Sequence, residues 1–301
     1  MAAPLGSGRA TAPVLVTGAP RSGTTWLARS LAAGGSATLP GREPMNPRGG
    51  QFALGGTLHS WVRLEEPTPR QVRLLQRCYA GREPRTFSRY GSRQWAALLP
   101  GARVVVKDPF ALLSVPAVVR ATGARPVVVY RHAGAVLSSY RRMGWSADID
   151  EVRALQGRPA PAAPLGDVAA MVEFWTYLHE QVLAWLPQVP GTLLVSHAEL
   201  VAAGPAGVAA VRERLGMPAR ERLGMPARGR AGTPAGPALP AAGPDHGPVT
   251  PRQGRLHQFD RRPEEVADGW RSRVTPEEAL LLDEGTATTW HALESCRTSL
   301  R

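Results

Sequence analysis

Residues 18–26 read Gly-Ala-Pro-Arg-Ser-Gly-Thr-Thr-Trp and directly follow a short apolar run, Val14–Thr17. A strand, a glycine-bounded loop and a helix start, in that order, present unpaired backbone N–H groups and the positive end of a helix dipole. Both favour an oxyanion. Thr24 and Thr25 add hydroxyl donors, and Arg21 adds charge on a fork of N–H groups. The nucleoside-triphosphate loop carries lysine after its second glycine; here that position is Thr24. Without the lysine that reaches β- and γ-phosphates, an anion with no γ-phosphate fits the loop better. A plain strand-to-helix turn is the bland alternative.

Three further positions carry chemistry. The run Pro126–Tyr130 leads into Arg131, and Ser139 follows eight residues later in a helix-like segment. An arginine at a strand end and a serine on the next helix can grip one phosphate from two sides, although a surface arginine and a capping serine would read the same. Lys107 ends the run Arg103–Lys107 and opens Lys-Asp-Pro-Phe; it is the only lysine in the chain. At the carboxyl end of a parallel strand it faces the usual ligand crevice, where a compact cation can stabilise charge growing on a leaving oxygen. Glu43, in Arg42-Glu-Pro-Met-Asn-Pro47, stands at the end of a weaker strand candidate and can serve as a general base or simply bind an acceptor.

Gly18–Trp26 resembles the 5′-phosphosulfate loop of the sulfotransferases that use 3′-phosphoadenosine 5′-phosphosulfate (PAPS). The Arg131…Ser139 pair resembles the family's 3′-phosphate motif. The resemblance implies that Arg21, Ser22, Gly23, Thr24 and Thr25 hold the phosphosulfate, that Trp26 contacts adenine, and that Arg131 and Ser139 bind the 3′-phosphate. It implies Lys107 as the leaving-group cation and Glu43 as the base of the Lys-x-Pro kind of enzyme. The family's closing elements are matched faintly by Arg261 and Trp270, which would then cover the nucleotide. Three departures stand out: Arg21 where many members carry lysine, Ala133 where proline is usual, and Pro109 where another branch has histidine.

These residues must be positioned by alternating strands and helices. Val14–Thr17, Arg103–Lys107, Pro126–Tyr130 and Thr192–Ser196 are apolar without alternation, as expected where helices cover both faces of a parallel sheet. Ala37–Leu39 is a weaker strand ended by Pro40. Helices are predicted over Thr24–Ala33, Ala133–Met143 and Asp167–Leu186, the last with Asp167 as N-cap and Pro187 as stop. The pattern predicts an α/β, P-loop-type three-layer sandwich around about five parallel strands. Residues 1–12 read as a flexible start and 13–301 as one domain. A Gly/Pro-rich insertion, predicted to be mobile, covers 228–254. RERLGMPA occurs twice in tandem, at 212–219 and 220–227, and reads as a local duplication rather than an architectural repeat. His197 and Glu199 read as structural; His59 and Trp61 are candidates for an acceptor pocket.

Composition narrows the classes. With 36 Lys+Arg against 24 Asp+Glu the formal charge is +12, which suits an anionic ligand. The two cysteines, Cys78 and Cys296, give no metal or disulfide framework. No signal peptide and no membrane-length apolar run is evident, so a cytoplasmic protein is expected, with no membrane insertion. The resulting expectation is in-line sulfuryl transfer from PAPS to a small-molecule or carbohydrate hydroxyl, or an amine. Adenosine 3′,5′-bisphosphate leaves, and neither a metal nor nucleic acid takes part. The rivals are a non-catalytic or degenerate nucleotide or polyanion binder and a P-loop kinase.

Overall fold

The computed structural model describes residues 12–33, 37–46, 54, 63–99, 102–217 and 269–300. Among them six strands form one sheet: β1 Val14–Thr17, β2 Ala37–Gly41, β3 Phe87–Ser92, β4 Arg103–Lys107, β5 Arg125–Tyr130 and β6 Leu193–Ser196. Their order is β3-β2-β4-β1-β5-β6. The five predicted strands are parallel to one another, with β1 central between β4 and β5. The sixth, β3, runs antiparallel along the edge of β2. It escapes sequence reading because its residues, Phe-Ser-Arg-Tyr-Gly-Ser, are half-buried or exposed and form no apolar run. Pairing with β3 also carries β2 through Pro40 to Gly41, two residues past the predicted end.

Successive strand residues feed opposite layers. Leu15, Val104, Val106, Val128 and Leu194 enter one apolar cluster. Val14, Val16, Val105, Val127, Val129 and Val195 enter the other. The second cluster is covered by α1 Thr24–Ala33 and α7 His197–Arg214. The first is covered by α2 Pro69–Tyr79, α3 Val115–Thr122, α4 Ala133–Met143, α5 Ile149–Leu155, α6 Asp167–Trp185 and α8 Pro276–Cys296. This is the expected three-layer sandwich.

Helix starts follow their capping chemistry. Thr68 with Gln71, and Thr275 with Glu278, form capping boxes ahead of α2 and α8, each with proline in the first turn. Neither helix was among those read from the sequence. At α6 the N-cap is Gly166, not Asp167; Asp167 lies in the first turn and binds Arg141 at 2.7 Å instead. α7 kinks at Gly204-Pro205. The first copy of the tandem repeat closes that helix, with Arg212 bonded to the Leu31 carbonyl at 2.6 Å. The second copy and the 228–254 segment lie outside the described residues, as do His59, Trp61 and Arg261.

β1, β2, β4, β5 and β6 all end on one edge. That edge therefore carries the loop after β1, Glu43 after β2, Lys107, Arg131 and His197. A parallel sheet whose connections diverge on either side of a central strand opens a crevice there.

Candidate active site

The phosphate loop is closed by a turn in which the Ser22 N–H donates to the Ala19 carbonyl at 3.0 Å. Helix α1 begins at Thr24, so the first-turn N–H groups face the crevice without intrahelical acceptors. Gly23 has φ +99°, and a Cβ there would come within 2.4 Å of the His197 ring, so both its backbone angle and its neighbour demand glycine. His197 opens α7 and is buried. Burial, and then the Arg131 charge, push its pKa down to about 3, so it is a neutral support for the loop. Among the described residues the buried Ser22 hydroxyl has no hydrogen-bond partner. Trp26 packs, half-buried, on the cluster under α7.

Across the crevice, α4 starts two residues after Arg131 and is buried through Tyr140. Ser139 Oγ accepts hydrogen bonds from Arg21 Nε at 2.8 Å and from Arg142 Nη2 at 3.4 Å. Arg273 Nη1 donates to Ser138 Oγ at 3.3 Å. Arg131 Nη1 donates to the Arg21 carbonyl at 3.3 Å. Three arginines thus bond two serine hydroxyls, with Arg131 on the backbone of one of those arginines, Arg21. Arg131 feels this directly: burial, then the charges of Arg21, Arg142 and Arg273, bring its pKa down to about 10. Like charges held together away from water are costly unless an anion joins them. Arg142 and Arg273 were not anticipated. Arg142 stands three residues from Ser139 on the same helix, a legible spacing, whereas Arg273 comes from a distant segment.

On the other side of β1, Lys107 Nζ donates to Glu43 Oε1, and Asn46 Nδ2 donates to Glu43 Oε2 at 2.6 Å. Asp108 sits beneath them, fully buried. It accepts from the Met45 N–H at 2.7 Å and the Phe110 N–H at 3.1 Å, while its own N–H donates to the Val16 carbonyl at 3.0 Å. Burial and the nearby Glu43 charge push its carboxyl up to about 8, against the pull of those N–H groups and Lys107. Asp108 thereby ties β1, the Glu43 turn and the end of β4 together. It was passed over in the sequence as a neighbour of Lys107.

Trp270, read from the sequence as a nucleotide cover, packs at the start of α4. It is 4 % exposed and stacks on His132 with ring centroids 4.6 Å apart, against the first turn of α4. Among the described residues no group of three or more His, Cys, Asp or Glu side chains is placed to hold a metal ion, and no helix is long and apolar enough to cross a membrane.

Fold and site together define an α/β protein with a glycine-bounded loop and a cluster of arginines at the carboxyl edge of its mostly parallel sheet. A family model described as the sulfotransferase family matches residues 13–221, and the chain belongs to that family. No curated protein matches the chain, and no solved structure matches it.

Proposed function

We propose that the chain transfers a sulfuryl group from PAPS to a hydroxyl or amine acceptor by a single in-line displacement. The observation that carries the donor assignment is the pair of anion sites facing each other across the crevice. One is the N–H-rich loop before α1, and the other is the cluster in which Arg21, Arg142 and Arg273 bond Ser138 and Ser139 while Arg131 bonds the Arg21 carbonyl. A nucleotide with anionic groups on both its 5′ and 3′ positions matches two such sites; a nucleoside triphosphate matches only the first, and Thr24 stands where its lysine would be.

The chemistry then divides between chain residues. Loop N–H groups, Ser22, Thr24 and Thr25 hold the transferred end of the donor, where preorganised donors are worth most. Lys107 supplies positive charge to the oxygen that is left as sulfur moves. Glu43 takes the proton of the attacking acceptor. In the free protein these last two neutralise each other, so acceptor entry must exchange the Lys107–Glu43 bond for bonds to the reactants. A carbohydrate or small-molecule acceptor would enter beside Glu43.

Calorimetry with adenosine 3′,5′-bisphosphate, against ADP and against ATP with Mg²⁺, tests the reading. Saturable, metal-independent binding of the bisphosphate, tighter than ADP and lost in Arg131→Ala, is the expected result. Tighter binding of ATP with Mg²⁺ would favour a kinase, and no nucleotide binding at all would favour a polyanion-binding role with steep salt dependence.

A further inference from the structure

Arg21 belongs to the phosphate loop by sequence, yet its side chain reaches α4 and the residue just beyond that helix's C-cap. Its Nε donates to Ser139 Oγ at 2.8 Å, and its guanidinium carbon stands 5.7 Å from the Trp145 ring centroid. Its backbone is left-handed, with φ +73°, a conformation that non-glycine residues adopt only when the surroundings enforce it. Two bonds do so here. The Ser22 N–H to Ala19 carbonyl bond closes the turn around it, and Arg131 clasps its carbonyl at 3.3 Å.

We propose that Arg21 reads the phosphate on the Ser139 side of the site and is the residue that discriminates a 3′-phosphorylated nucleotide from one carrying only a 5′-phosphate. The proposal rests on the donor reading above and departs from the role that position in the loop implies. A guanidinium is a rigid fork, so the bond from Nε fixes the plane in which its remaining donors lie. Ser139 accepts from both Arg21 and Arg142, which leaves its own O–H proton to donate to an anion. The 5′ end can be held without Arg21, because the first-turn N–H groups of α1 lack intrahelical acceptors and the Ser22 hydroxyl beside them has no partner among the described residues. One residue thereby links the two anion sites, since whatever orders Ser139 also orders the loop.

The test is calorimetric titration of the full chain with adenosine 3′,5′-bisphosphate and with adenosine 5′-monophosphate, in wild type, Arg21→Ala, Arg21→Lys, Ser139→Ala and the Arg21→Ala/Ser139→Ala double variant. Loss of a hydrogen bond to a charged group predicts a fall of about 10- to 100-fold in bisphosphate affinity for Arg21→Ala. Monophosphate affinity stays at the wild-type level, which also reports an intact fold. Arg21→Lys restores little, because an ammonium on a flexible stem has no fork. The double variant loses less than the sum of the single losses. An equal loss of both nucleotides in Arg21→Ala overturns the proposal and returns Arg21 to the 5′ group. A wild-type chain that binds both nucleotides equally overturns the donor reading, and this proposal with it.

Discussion

Lys107 and Glu43 stand 64 residues apart in the chain and meet in one ion pair at the carboxyl edge of the sheet. Their side chains are 12 % and 17 % exposed, so the pair is largely shielded from water and screened little by salt. Asn46 braces the second Glu43 oxygen, and Asp108 fixes the backbone between them through the Met45 N–H. Under the proposed function, a carboxylate and a cation held in register in this way are preorganised for a reaction in which one gains a proton while the other meets growing negative charge.

Glu43→Gln keeps the volume of the side chain and can still accept from Lys107, but it cannot take up a proton. Turnover on any acceptor found by screening is expected to fall by about 10²- to 10⁴-fold, with bisphosphate affinity unchanged. Steady-state rates of bisphosphate release from PAPS, with calorimetry alongside, check both halves. A rise in acceptor KM with kcat preserved would instead make Glu43 an acceptor-binding residue.

Asp108 predicts a pH dependence of stability. Its carboxyl has a reference pKa of 3.8 and lies near 8 in the folded chain, so between those values the native state binds the extra proton. Stability from this group is therefore fully present below about pH 4 and declines as pH rises toward about 8. Denaturant midpoints measured across that range should fall with rising pH, and the slope should flatten in Asp108→Asn. The variant is also expected to lose about 1–3 kcal/mol outright, because an amide oxygen satisfies only one of the two N–H groups that the carboxylate accepts.

The arginine cluster predicts that anions stabilise the protein. Removing Arg131 relieves its repulsion with Arg21, Arg142 and Arg273 but, on the proposed reading, takes away a ligand of the 3′-phosphate. A ligand that binds only the native state at a hundred times its Kd adds about 2.7 kcal/mol. Adenosine 3′,5′-bisphosphate should thus raise the Tm of wild type and leave that of Arg131→Ala unchanged. An equal rise in both would place the nucleotide elsewhere.

Trp270 and Gly134 form a packing pair that can be tested by exchange. A Cβ on Gly134 would lie 2.2 Å from the Trp270 ring, so Gly134→Ala is expected to cost about 1–3 kcal/mol by overpacking. Adding Trp270→Ala makes room for the new methyl group. The double variant should then be no less stable than Trp270→Ala alone, as measured by denaturant unfolding. If Trp270→Ala leaves stability intact yet abolishes bisphosphate binding, the ring is a nucleotide contact instead.

Much of the site was legible along the chain because its parts are local. Gly18–Trp26 contains strand, loop and helix start within one continuous segment, and Arg131 and Ser139 belong to one strand–helix unit. Lys107 and Glu43 were each identifiable as strand-end residues. Their ion pair was not, since β4 lies between β1 and β2 only in the folded sheet. β3 was invisible because an edge strand paired on one side needs no apolar run. Arg273 gave no signal, since its position beside Ser138 depends on where the segment before α8 docks.

Periodicity and glycine placement determined from sequence alone that this is a mostly parallel α/β protein with a glycine-bounded loop between β1 and α1, because those features arise from backbone geometry within about 30 consecutive residues. Tertiary structure decided which way the charged side chains face. A guanidinium on a long stem can serve either wall of a crevice, and only the left-handed backbone at Arg21, with Arg131 across from it, turns that residue toward Ser139. Likewise burial first, and then the charge of Glu43, raise the pKa of Asp108, and both depend on what the rest of the chain packs around it.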